Sequence, residues 1–86
     1  MRVLIPSQLR SYTSGSAEIE ASGATLGVLL DNIERAHRGL RFRIIDEQDR
    51  IRRHIRVFVN GEEVHDLSCP LKESDEVQIV GALTGG

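Results

Sequence analysis

Ile55-Arg56-Val57-Phe58-Val59-Asn60-Gly61-Glu62-Glu63-Val64 is the stretch on which the fold turns. Ile55, Val57 and Val59 alternate with Arg56 and Phe58, the period of a strand with one buried face. Asn60-Gly61 follows at once, and both central positions of a type I′ turn require positive φ, which these two residues tolerate. Glu62 to Val64 should therefore fold back as a short strand. Downstream, Pro70 to Asp75 reads as a connecting turn, and Glu76-Val77-Gln78-Ile79-Val80-Gly81-Ala82 as a last strand. Upstream, Val3 and Ile5 mark a first strand over residues 2 to 6, ended by Pro6, which cannot donate to a ladder. A turn-rich break from Ser11 to Ser16 separates it from a second alternation over Ala17 to Ala21, giving a hairpin.

Between the hairpins, Thr25 is placed to cap a helix. Leu26, Leu29, Leu30 and Ile33 recur at the spacing of one helical face, and Gly39 stands where a left-handed residue would end it. Leu40 to Ile45 fits a strand through Leu40, Phe42 and Ile44, or a short helical turn through Leu40, Ile44 and Ile45; the helical turn is preferred. Asp46 to Asp49 is a polar loop. The order is strand, strand, helix, strand, short strand, strand, so one helix covers one face of a mixed sheet of four to five strands. This is the α+β, β-grasp (ubiquitin-like) pattern. Val3, Ile5, Ile55, Val57, Val77 and Ile79 should meet the four helix residues in the core.

At 86 residues the chain is sized for one domain, expected over 1–82, with a thin, flexible tail at 83–86. Apolar residues at 40% and charged residues at 28% fit a folded soluble protein. No apolar run reaches the roughly 20 residues of a membrane span, and the start of the chain lacks the long apolar stretch of a signal peptide. Cys69 is alone, so no internal disulfide forms; a cytoplasmic setting is expected.

Charge is uneven, with eight of the ten arginines between Arg35 and Arg56. Asp46, Glu47 and Asp49 sit among them, Phe42 is the only aromatic nearby, and the formal net charge is −2. Nucleic-acid binders interleave aromatics and carry a basic excess, so a solvated face or a docking surface for an acidic protein is the better reading. His37, His54 and His65 lack metal-ligand spacing. Cys69 has no neighbouring base or second thiol, and no paired carboxylates border a cleft, so neither a metal site nor an enzyme is expected.

The tail carries the chemistry. Glycine contributes no side chain and loses the most backbone entropy on ordering, so Gly85-Gly86 offers little to a fold. Leu83-Thr84-Gly85-Gly86 would instead extend roughly 13 Å into a narrow enzyme channel. A carboxylate becomes an electrophile once adenylated, sulfide or a persulfide can attack it, and glycine leaves the carbonyl sterically open. No phosphate-binding glycine loop accompanies it, so ATP and Mg²⁺ would belong to a partner.

Val77 to Gly86, together with Val3-Leu4-Ile5-Pro6, Leu9-Arg10, the helix from Thr25 and Val57 to Val64, resembles the MoaD/ThiS family of ubiquitin-like sulfur carriers over nearly the whole chain. That family includes the small subunit of molybdopterin synthase and the thiazole-pathway carrier. The Asp46-Glu47 loop and Ile51-Arg52-Arg53-His54-Ile55 look more like carriers that serve cysteine synthesis or thioacid metabolites. The resemblance implies adenylation of Gly86 by an E1-like adenylyltransferase, sulfur from a sulfurtransferase or sulfide, and an acceptor enzyme that consumes the thiocarboxylate. Gly85, Thr84 and Leu83 would give access. One departure is Ser74, where relatives often have glycine. Leu4, Phe58 and Val80, on the strand face opposite the helix, should form an apolar docking stripe. Two alternatives stand beside the carrier: a ubiquitin-like modifier joined to lysine, and a plain binding module with an idle tail. Lys72 is the only lysine, which leaves little scope for self-conjugation.

Overall fold

The computed structural model describes residues 1–81. The expected tail residues Leu83, Thr84, Gly85 and Gly86, and Ala82 before them, lie outside the described residues.

The elements are β1 (Arg2–Leu4), a 3₁₀ helix (Ser7–Thr13), β2 (Glu18–Glu20), α1 (Leu26–Ala36), α2 (Leu40–Ile44), β3 (Ile55–Val59), β4 (Glu62–Val64) and β5 (Glu76–Gly81). The five strands form one sheet in the order β2-β1-β5-β3-β4. β1 and β5 run parallel, with Val3 beside Val77, while every other pair is antiparallel. The chain thus adopts the β-grasp fold: the last strand lies between the two antiparallel pairs β1–β2 and β3–β4, parallel to the first strand.

Asn60 and Gly61 take φ of 51° and 87°, the positive values that the type I′ turn demands. On the helix side Val3, Ile5, Ile55, Val57, Val77 and Ile79 pack in one cluster with Leu26, Leu29, Leu30 and Ile33. Those ten were the expected core. Leu9, Leu40, Ile44, Ile45 and Leu71 complete it, each buried.

Thr25 caps α1, its Oγ1 accepting the Val28 N–H at 3.2 Å. Two further amides of the first turn, from Leu26 and Gly27, donate to the Cys69 and Leu67 carbonyls at 3.0 and 2.9 Å. The loop that carries Cys69 therefore satisfies donors which a helix start leaves open. The helix ends at Ala36, with His37 as its C-cap, and not at Gly39 as expected. Gly39, at φ 92°, opens α2 instead. The cause is Glu34, whose carboxylate accepts from the Gly39 and Arg41 amides at 2.8 and 3.0 Å and starts the second helix there.

The N-terminal segment also departs from expectation. β1 ends at Leu4 and Pro6 leads into the 3₁₀ helix, so Ser11 to Thr13 are helical and only Ser14 to Ser16 turn. Leu9 and Thr13 are buried, and the Thr13 hydroxyl bonds the Ser16 and Arg10 carbonyls at 2.7 and 3.2 Å. A short helix lets one apolar side chain and one satisfied hydroxyl close the end of the core. Near β5, Ser74 does not adopt positive φ. The turn is held by Asp75, which accepts from Lys72 and Asn60, so glycine is not required there.

Candidate functional site

β5 is the central strand, paired with β1 on one side and β3 on the other, and the described chain stops at its last residue, Gly81. Gly81 lies opposite Ile55 of β3. From the other flank, Gln8 of the 3₁₀ helix donates its side-chain amide to the Gly81 carbonyl at 3.2 Å. The root of the tail is therefore fixed by backbone pairing and by one side chain.

Two grooves of about 530 Å³ each meet at Gly81. One runs along Leu4, Pro6, Gln8, Arg10 and Val80. The other is bounded by Tyr12, Phe42, Arg43, Arg52 and His54. In the second, Arg43 Nε donates to Tyr12 Oη at 2.7 Å, with its guanidinium carbon 5.7 Å from that ring's centre. Arg52 Nε donates to the Phe42 carbonyl at 2.7 Å, and its guanidinium carbon lies 4.5 Å from the Phe42 ring centre, a cation–π distance.

Leu4, Phe58 and Val80 all lie on the open face of the sheet and are partly exposed. They do not form one unbroken row. Leu4 and Phe58 each pair with Gln78, which stands between them, and Val80 pairs with Arg56. Ion pairs border the patch: Arg2 with Glu18 and Glu76, and Arg56 with Glu63 at 2.9 Å. Gly86, Gly85, Thr84 and Leu83 lie outside the described residues, so the structure describes the root from which they leave.

The remaining polar residues have local duties. Asp46, Asp66 and Asp75 are held below the usual carboxylate range, chiefly by backbone amides of Arg50, Ser68 and Lys72 respectively. The Gly39 amide does the same for Glu34. His37 caps α1, His54 reaches the rim of the second groove, and His65 lies 4.0 Å from Glu63. Among the described residues no three His, Cys, Asp or Glu side chains gather as a metal site. Gln8, Tyr12, Arg43 and Arg52 were not singled out from sequence as neighbours of the tail. Tyr12 and Arg43 are 31 positions apart, and only folding brings them together.

A β-grasp sheet covered by one main helix, with the last strand at its centre, defines the ubiquitin-like class of small proteins. The chain belongs to the ThiS family, whose model matches residues 3–86. It is 33% identical over 89 residues to the sulfur carrier protein CysO of Mycobacterium tuberculosis, covering 98% of this chain and 96% of the relative. The crystal structure of that CysO has a TM-score of 0.90 at 31% identity, over 95% of this chain and 98% of the other. A chain of the Amycolatopsis orientalis BexX/CysO complex has a TM-score of 0.92 at 36% identity, over 99% and 98%.

Proposed function

We propose that this chain carries sulfur as a thiocarboxylate on Gly86. It is a sulfur carrier, a protein substrate and donor rather than a catalyst. The observation that carries the reading is the placement of Gly81 at the end of the central strand, five residues before Gly86, in a chain of the ThiS family.

The chemistry divides between the tail and its partners. On an E1-like adenylyltransferase, which binds ATP and Mg²⁺, a Gly86 carboxylate oxygen attacks the α-phosphorus and pyrophosphate leaves. Sulfide then attacks the acyl carbon of the mixed anhydride, and AMP leaves with the electron pair of the broken C–O bond. Where a sulfurtransferase persulfide attacks instead, the acyl disulfide that forms is cleaved by a second thiol, which takes the enzyme sulfur into a disulfide and releases the thiocarboxylate. The product, –C(=O)S⁻, is a sulfur nucleophile for an acceptor enzyme. Gly85, Thr84 and Leu83 supply a narrow approach, and the rigid domain supplies the surface that partners grip. Leu4, Phe58 and Val80 form part of that surface. The Asp46-Glu47 loop and the Ile51 to Ile55 stretch support an acceptor that makes cysteine or a thioacid metabolite over one that makes molybdopterin. The lone Cys69 and the absence of a membrane-spanning helix among the described residues are compatible with work in the cytoplasm.

Incubation of the full chain with ATP, the activating enzyme and sulfide should replace one oxygen by sulfur in the intact mass, mapped to Gly86. Deletion of Gly85 and Gly86 should abolish that change while leaving the melting temperature unaltered. An amide between Gly86 and a target lysine, with no sulfur gained, would sink the reading in favour of a protein modifier. Activity that persists without the two glycines would favour a binding module.

A further inference from the structure

We propose that the groove between Tyr12, Phe42, Arg43, Arg52 and Gly81 receives a carboxylate-bearing segment of the protein that takes hold of the tail. The proposal rests on Gly86 being the reacting residue, because that fixes where the partner must stand. Five residues extend at most roughly 18 Å, so the partner's reacting centre lies within that distance of Gly81. A stable interface covers on the order of 800 Å² per partner. A footprint of that size around the tail root takes in the groove.

The chemistry of the groove then selects the occupant. Among the described residues no acidic side chain lines it. Arg2, Arg41 and Arg56 are all matched by carboxylates within 4 Å, but among the described residues Arg43 and Arg52 are not. Asp46, the acidic neighbour in sequence, accepts the Gln48 and Arg50 amides at Oδ1, and although the Arg52 charge helps to lower its carboxyl, the two make no ion pair within 4 Å. Both groove arginines are nevertheless held. Each uses Nε for a 2.7 Å bond and lies by an aromatic ring, and their terminal nitrogens donate to no described residue. Two pre-oriented guanidinium forks with free terminal N–H groups match carboxylates, and fixing them beforehand removes the rotamer entropy that binding would otherwise cost. Phe42, 56% exposed, adds an apolar flank that a partner would cover. This gives two of the eight clustered arginines a location and a purpose: tail delivery is gripped on the apolar side by the Leu4 patch and on the basic side by the groove.

The test uses the full chain, labelled for nuclear magnetic resonance, and an acetylated, amidated hexaglutamate peptide as the probe. At low salt the Arg43 and Arg52 Nε–H signals and the Gly81 amide should move in a saturable way, and a hexalysine peptide should leave them still. R43E with R52E should weaken hexaglutamate by about tenfold or more, the scale of a lost charge-assisted contact. R43K with R52K, which keeps the charge and removes the fork, should lose a smaller share. R35E with R38E, outside the groove, should change binding less than the lysine pair does. Equal losses at both sites, or no movement at Arg43 and Arg52, would overturn the proposal. So would Arg43 and Arg52 signals that shift, without peptide, when the Gly86 carboxylate is converted to an amide and then bind peptide more tightly, because the chain's own carboxylate would then be the occupant. The peptide experiment needs no sulfur transfer. A chain that binds peptide but gains no sulfur therefore fails the carrier reading and not the groove, and the reverse result separates them equally.

Discussion

Gln8 and Gly81 are joined by a hydrogen bond across 73 positions of sequence, the Gln8 amide donating to the Gly81 carbonyl at 3.2 Å. One side chain from the first helical turn thus steadies the last described residue of the last strand. The bond is exposed, so its loss should cost little stability. Gln8→Ala should lower it by no more than about 1 kcal/mol, while Gly81 amide relaxation should show a looser tail root. A melting temperature that collapses, or a Gly81 signal that stays unchanged, would contradict this role.

The open-face patch should respond differently. Phe58 is partly exposed and pairs with Gln78 and Glu63, so Phe58→Ser removes apolar contact area without hollowing the core. The variant should remain folded, and transfer of sulfur to Gly86 should show a raised KM with kcat little changed, the mark of lost uniform binding. Unaltered KM would remove Phe58 from the docking surface.

Glu34 links stability to pH. Its carboxyl is held below the ordinary range mainly by the Gly39 amide, with the Arg41 amide assisting. The folded chain therefore binds fewer protons than the unfolded chain, and stability rises with pH through this group's titration. Its contribution is complete above the unfolded carboxylate value, about 4.3 for glutamate, and is lost as pH falls through the lower folded value. Glu34→Gln should flatten that part of the acid limb in thermal melts across pH. Asp46 and Asp75 act in the same direction, so the slope should diminish without vanishing.

Gly23 carries a steric constraint. A Cβ built there would stand 2.6 Å from the Leu29 Cα, backbone that cannot swing away. Gly23→Ala should destabilise the fold by roughly 2 kcal/mol or more, the range of overpacking against a rigid neighbour. Urea titration gives the value, and a loss under about 0.5 kcal/mol, the range of ordinary surface changes, would show that α1 can shift to make room.

Much of the fold is legible in the sequence because its signals are local. Asn60-Gly61 encodes its own turn, Thr25 its own cap, and the spacing of Leu26, Leu29, Leu30 and Ile33 its own buried face. The discrepancies arise where a distant group decides. Gly39 looks like a helix stop until Glu34 is seen to accept its amide, and the 3₁₀ helix over Ser7 to Thr13 depends on a space in the core that Leu9 fills. The site divides in the same way. Gly86, the proposed reacting residue, is a sequence reading alone, resting on the need for an unhindered carbonyl, and the arginine concentration is legible as composition. That Arg43 and Arg52 flank the tail root is not, since their placement beside Tyr12, Phe42 and Gly81 exists only once the strands have paired.

The parallel union of β1 and β5 gives the carrier a mechanical property. Traction on the tail loads β5 along its length, against the ladders to β1 and β3 together. Hydrogen bonds loaded sideways share the force and yield together, whereas those at a hairpin end peel one by one. On the proposed route, an enzyme drawing the tail into its channel would pull on a strand held along both edges. The domain can then act as a stop, remaining folded outside the channel and ready for another round.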